Sequence, residues 1–219
     1  MIVLIITAVR VKSMDSHRIS GRILAENIAG PGMLRLVEQS MQSRAQKTSV
    51  TEIAVKERKY PQAALTFDDG PDIRYTPLLL DGLKERNVRA SFFLLGEKVE
   101  QYPELVERMQ KEGHLVGNHT YHHVQLNKLN ETKAREEILK TNNLIYETTG
   151  VYPLYLRPPF GAWKKNLELC VEMLPVFWTI DTLDWKVQNT EKIVRTVQEQ
   201  IEDGAIILMH DEYDLSLIH

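Results

Sequence analysis

Six short apolar runs between Ala63 and Met209 constrain this chain more than any other feature of its sequence. They lie at residues 63–67, 90–95, 115–117, 154–156, 176–180 and 205–209. Each is short, apolar and bounded by turn residues, which reads as a buried strand. Helical stretches are expected between them, over residues 78–86, 97–112, 130–146, 164–173 and 190–203. Strands alternating with helices predict an α/β fold around a parallel sheet, open or closed as a barrel. No internal repeat supports a solenoid.

Several helix ends carry their own signals. Thr76 before Pro77 reads as N-cap and first helical residue, Asn130 and Thr190 read as caps, and Gly113, Gly150 and Gly204 read as stops. Residues 1–60 look different and are assigned to an N-terminal appendage, with the main domain over 61–219. The appendage holds few aromatics, is broken at Gly30-Pro31-Gly32, and has one candidate strand at 49–55. Residues 1–9 (MIVLIITAV) are apolar and followed by Arg10 and Lys12. That run is too short to span a bilayer, which takes about 20 apolar residues. It also lacks the basic start and cleavage site of a signal peptide. A buried strand, the remnant of a longer membrane anchor and a start-site artefact remain as its readings; membrane contact is expected only in the second.

Charge and cysteine content exclude two classes. Lys+Arg of 27 against Asp+Glu of 30 gives a net charge of −3, without the basic excess of a nucleic-acid binder. The one cysteine, Cys170, cannot form an intrachain disulfide.

Polar residues recur where the apolar runs stop: Asp68 and Asp69, the cluster from His119 to His123, Arg157, Asp181 to Asp184, and His210. In parallel α/β folds that rim is where sites are built. Four of the seven histidines, His114, His119, His122 and His123, fall within ten residues. The spacing of His119 and His123 would place both imidazoles on one face of a helical turn, able to grip one ion, although such a pair is also common without a ligand. A carboxylate from Asp68-Asp69 could complete the set while its neighbour serves as a base; the same residues also read as an ordinary turn. Arg157, on the rigid backbone before Pro158-Pro159, could hold Asp68 ionised. His210 alone reads equally well as a core histidine.

Taken in order, the motifs are Thr66-Phe67-Asp68-Asp69-Gly70-Pro71, His119-Thr120-x-x-His123, Arg157-Pro158-Pro159-Phe160-Gly161, Asp181-Thr182-Leu183-Asp184-Trp185 and Leu208-Met209-His210. This ordered set, across about residues 63–211, resembles the polysaccharide deacetylase family, the NodB-homology domain of carbohydrate esterase family 4. The resemblance implies a distorted (β/α) barrel and metal-dependent removal of acetyl groups from glycans, chiefly N-acetylglucosamine units of peptidoglycan or chitin. It implies Asp69, His119 and His123 as ligands of one divalent ion, zinc or else cobalt or another divalent ion. It implies Asp68 as general base, Arg157 as its orienting partner, Asp184 as the partner of His210, and His210 as general acid. Phe160 falls where the family presents a backbone N–H to the oxyanion, in place of the usual Tyr. Trp185 and Leu208 fall at groove positions near the acetyl methyl. An acetyl-ester hydrolase acting on xylan and a non-catalytic glycan-binding relative are the competing readings. The substrate class places the protein outside the cell or in the envelope. Family members usually continue past the last motif with another helix and strand, whereas only residues 211–219 follow here. Barrel closure is therefore expected to be incomplete, or to be supplied by residues such as 49–55.

Overall fold

The computed structural model describes residues 60–163, 171 and 173–212. The expected appendage, with its apolar start and the strand at 49–55, lies outside them apart from Tyr60, as does nearly all of the helix expected over 164–173.

Seven strands form one parallel sheet: β1 (Ala63–Asp68), β2 (Ser91–Leu94), β3 (Leu115–Asn118), β4 (Tyr155–Leu156), β5 (Leu174–Pro175), β6 (Ile180–Asp181) and β7 (Ala205–His210). Their order is β5-β4-β3-β2-β1-β7-β6. Among the described residues six α-helices accompany them: α1 (Tyr75–Glu85), α2 (Gly96–Gln101), α3 (Pro103–Lys111), α4 (Glu131–Thr149), α5 (Asp184–Val187) and α6 (Thr190–Gln200).

The strand expected over 176–180 is not formed: residues 176–179 instead connect two short strands, β5 and β6, on opposite edges of the sheet. Val176 N–H donates to Leu156 O on the β4 side at 2.8 Å, and Thr179 N–H donates to Ile206 O on the β7 side at 2.9 Å. Six inter-strand steps of about 4.8 Å would set the edges of a flat sheet about 29 Å apart. Three peptide steps reach about 11 Å at most. The sheet must therefore curl, and it forms a distorted half-barrel with its edges drawn together by residues 176–179.

Side chains of β1 alternate across the curled sheet. Phe67 stacks on Phe92 at a centroid distance of 5.4 Å and joins Leu80, Leu94, Val106 and Met109 in the main core. Thr66 and Asp68 point the other way, into the curl, where both meet the fully buried Arg157. A second cluster, Leu126, Ala134, Ile138 and Leu156, packs α4 against β4.

Three helix expectations change. The helix expected over 97–112 is two, because Pro103 has no N–H to continue the first and restricts Tyr102, which adopts φ −133°, ψ 56°. Thr76 is not a cap; it lies inside α1, accepts from Asp72 N–H at 2.8 Å and donates to Asp211 Oδ2 at 2.6 Å. The last helix is capped by Asn189, whose side chain accepts from Lys192 N–H, rather than by Thr190. Asn130 caps α4 as expected, and Gly150 ends it at φ +71°. No helix among the described residues is long and apolar enough to cross a membrane.

Candidate active site

Strand register assembles the rim. Asp68 at the end of β1 is directly opposite His210 at the end of β7, and Asp181 of β6 is opposite Leu208. Asn118, the last residue of β3, delivers His119, and β4 delivers Arg157. Five non-glycine residues on this rim have positive φ: Asp69 (70°), Thr120 (67°), His123 (56°), Phe160 (60°) and Leu183 (52°). Each such residue costs of order 1–3 kcal/mol and persists only where its surroundings compel it.

Asp69, His119 and His123 offer one oxygen and two nitrogens that lie within 4.8 Å of one another. The two histidines do not sit on a helical turn. They sit on an irregular loop whose left-handed residues Thr120 and His123 bring the rings to a 5.1 Å centroid distance. His119 Nδ1 lies 2.6 Å from Arg157 O, so it must be the protonated nitrogen, which leaves a lone pair on Nε2. That Nε2 and His123 Nε2 stand 3.3 Å and 3.4 Å from Asp69 Oδ1. Oδ1 is itself buried and makes no hydrogen bond among the described residues. Lone pairs and a carboxylate converging on one point are the donor set of a cation site. Burial alone would raise the Asp69 carboxyl, but the close approach of His119 and the positive charge that His119, His123 and His210 carry when protonated outweigh it and hold it at about 2. The fit to a divalent ion is good on this chemistry.

Asp68 is 3% exposed and Arg157 wholly buried. Arg157 donates through one nitrogen to Asp68 Oδ1 at 2.7 Å and to Thr66 Oγ1 at 2.8 Å, and its guanidinium lies over Phe93 at 4.2 Å. The other carboxylate oxygen, Oδ2, is 3.7 Å from His119 Nε2. Asp68 and Asp69 are thus separated by environment: one is tied to an arginine, the other to two imidazoles.

His210 is held from the far side. Asp184, 1% exposed, accepts from the His210 backbone N–H and from Nδ1. Burial alone would lower the imidazole, but the bond to Asp184 and the charges of Asp184, Asp69 and Asp68 raise it to about 9. The ring is therefore an imidazolium at neutral pH, with Nε2 facing Asp69 Oδ2 at 3.9 Å.

Asp68, Asp69, His119, His123 and His210 open on one cleft of about 460 Å³, also lined by Phe160, Trp185 and Leu208, while Arg157 and Asp184 lie behind it. Trp178 is the lining residue that was not singled out from the sequence. Trp178 is carried by the segment that joins the sheet edges, and Asp181 accepts from Leu183 N–H at 2.9 Å and so shapes the turn into α5. Two histidines of the sequence cluster stand apart: His114 takes a bond from Ala90 N–H in the core, and His122 turns outward to Glu137. Phe160 N–H makes no hydrogen bond among the described residues.

The family model for polysaccharide deacetylase matches residues 56–176. A peptidoglycan-N-acetylglucosamine deacetylase of Bacillus cereus is 44% identical over 152 residues, which cover 68% of this chain and 55% of that protein. The peptidoglycan-N-acetylmuramic acid deacetylase PdaC of Bacillus subtilis is 42% identical over 153 residues, covering 70% of this chain and 33% of that one. The solved structure of PdaC superposes with a TM-score of 0.70 at 40% identity, over 73% of this chain and 79% of that one. The chain thus spans about half the length of the first relative and a third of the second.

Proposed function

The chain belongs to the polysaccharide deacetylase family, and from that premise we propose that it hydrolyses the acetamide of N-acetylglucosamine units in peptidoglycan, releasing acetate and leaving a free amine. One observation carries the reading: a three-residue cation group, an arginine-held carboxylate and an aspartate-held imidazolium share a single cleft.

When bound by Asp69, His119 and His123, a divalent ion supplies Lewis acidity, polarising the acetyl carbonyl and acidifying water. Asp68 takes a proton from the attacking water; Arg157 fixes its Oδ1 and leaves Oδ2 for that proton. As the water oxygen bonds to the carbonyl carbon, charge collects on the acetyl oxygen, and the Phe160 N–H stabilises it. Cleavage of the carbon–nitrogen bond needs a proton on the leaving amine. His210 supplies it from Nε2, because Nδ1 is committed to Asp184. Trp185 and Leu208 enclose the acetyl methyl.

Zinc is the proposed ion, on the strength of a donor set of two imidazoles and one carboxylate. A location outside the cell or in its envelope is proposed because peptidoglycan lies there. The test is acetate release from peptidoglycan, with N-acetylglucosamine oligomers and acetylated xylan in parallel, before and after chelation and zinc addition. Release from the N-acetylated glycans that chelation abolishes and zinc restores supports the reading. Release from xylan alone, or from none of them, overturns it.

A further inference from the structure

The loop from His119 to His123 carries two of the three residues of the cation group, yet it belongs to no helix or strand itself. Its backbone is unfavourable on its own: Thr120 is β-branched and stands at φ +67°, and His123 stands at φ +56°. Bonds within the loop help, with Thr120 N–H donating to Asn118 Oδ1 at 2.7 Å and Val124 N–H to Thr120 Oγ1 at 3.3 Å. They do not reach the two residues between, Tyr121 and His122.

Glu97 N–H of α2 donates to Tyr121 O at 3.2 Å, but the N–H groups of Tyr121 and His122 are both held by a single side chain from α4. Glu137 Oε2 accepts from Tyr121 N–H at 3.1 Å and from His122 N–H at 2.9 Å, and Oε1 lies 2.8 Å from His122 Nδ1. Consecutive N–H groups aimed at one carboxylate make a charge-assisted cradle, stronger than neutral bonds of the same geometry. Neighbouring contacts brace it: the Tyr121 hydroxyl donates to Glu100, and Lys140 Nζ stands 3.4 Å from the centre of the Tyr121 ring. Glu137 is half-buried and does not line the cleft.

We propose that Glu137 is a positioning residue for the cation site: it acts through the Tyr121 and His122 backbone to fix the left-handed loop that aims His119 and His123 at Asp69. The inference rests on the reading of Asp69, His119 and His123 as the metal ligands. Glu137 touches neither ion nor substrate. Its contribution is to hold the two imidazoles in place before the ion arrives, so that binding need not order the loop.

The experiment measures zinc affinity of the full chain by competition with a chelating dye, beside melting temperature, for wild type, Glu137→Ala and Glu137→Gln. Glu137→Ala removes every acceptor and is expected to weaken zinc binding roughly 10–100-fold, the usual range for residues that orient ligands. Glu137→Gln keeps one carbonyl oxygen and is expected to fall between wild type and Glu137→Ala. If Glu137→Ala does not fold, Glu137→Gln decides: weakened zinc binding supports the role. Variants that melt earlier but bind zinc with the wild-type Kd would mark Glu137 as merely structural and overturn the inference alone. A wild type that takes up no zinc overturns the metal reading, and this inference with it.

Discussion

Asp184 holds His210 twice, accepting from its backbone N–H and from Nδ1, each at 2.7 Å. The paired contact fixes the ring's position and its charge together. Asp184→Asn should keep much of the first effect and lose the second, so the His210 pKa should drop from about 9 towards the ordinary imidazole value. Turnover should then decline at a lower pH, because the proton donor is emptied earlier. His210→Ala should lower turnover by about 10²–10⁴ on an acetamide, and by much less on an activated acetyl ester whose leaving group departs without a proton. Imidazole titration by NMR, with pH–rate profiles on both substrates, checks the set. Equal losses on the two substrates would argue against a proton-donating role.

Asp68 and Asp69 are adjacent in sequence but should fail differently. Asp69→Asn should weaken metal binding, with activity partly recovered in excess zinc. Asp68→Asn should keep its metal and lose turnover by roughly 10²–10⁴ at every zinc concentration. Metal stoichiometry read beside turnover separates them, and loss of metal from Asp68→Asn would show the roles exchanged.

Removing Arg157 should strand a buried charge. Arg157→Met leaves Asp68 without its partner inside the curl, and stability should fall by about 3–5 kcal/mol. Adding Asp68→Asn should restore part of that loss, since the uncompensated carboxylate is gone. Denaturant unfolding of the two single variants and the double variant completes the cycle. Strict additivity would mean that the pair is not coupled.

Asp211 supplies a pH prediction of opposite sign to that of a salt-bridged acid. Burial raises its carboxyl, only partly offset by the Thr76 bond and Lys98, to about 7. Between about 4 and 7 the folded chain therefore binds a proton that the unfolded chain has released, so this group's contribution to stability falls as pH rises. Asp69, held at about 2, acts the other way: its contribution is present above the ordinary carboxylate value and is lost as pH falls towards 2. Asp211→Asn should flatten the loss between pH 4.5 and 7.5 relative to wild type in urea unfolding. An unchanged difference between the two pH values would exclude Asp211 as its source.

The sequence made some of this legible and hid the rest for physical reasons. Strands β1, β2, β3 and β7 were readable because each is a short apolar run, and in β1, β3 and β7 the run stops at the polar residues of the rim. The division of 174–181 between two edges was not readable, since Val176-Phe177-Trp178-Thr179 has the composition of a strand and only the ladder partners reveal the crossing. The pair His119 and His123, candidate ligands, was flagged by its spacing through a helical argument that the loop does not obey, and the ligand role came only from the family resemblance. Thr120 and His123 reach the same convergence through positive φ, which no local signal announces. Glu137 and Asp211 lie far in sequence from what they hold, and residues of that kind look like ordinary charged positions until the fold brings them in.

The segment that joins the two edges of the sheet has an evolutionary consequence. Phe177 and Trp178 hold no backbone ladder bond among the described residues, so neither β5 nor β6 depends on how many residues lie between them. Insertions or deletions there would change the gap between the edges, and move Trp178 at the cleft wall, without sliding β1 against β7. Asp68 would stay opposite His210 while the mouth of the cleft was retailored. Divergence in the width of the ligand that the cleft admits therefore has a route that leaves the rim residues in place.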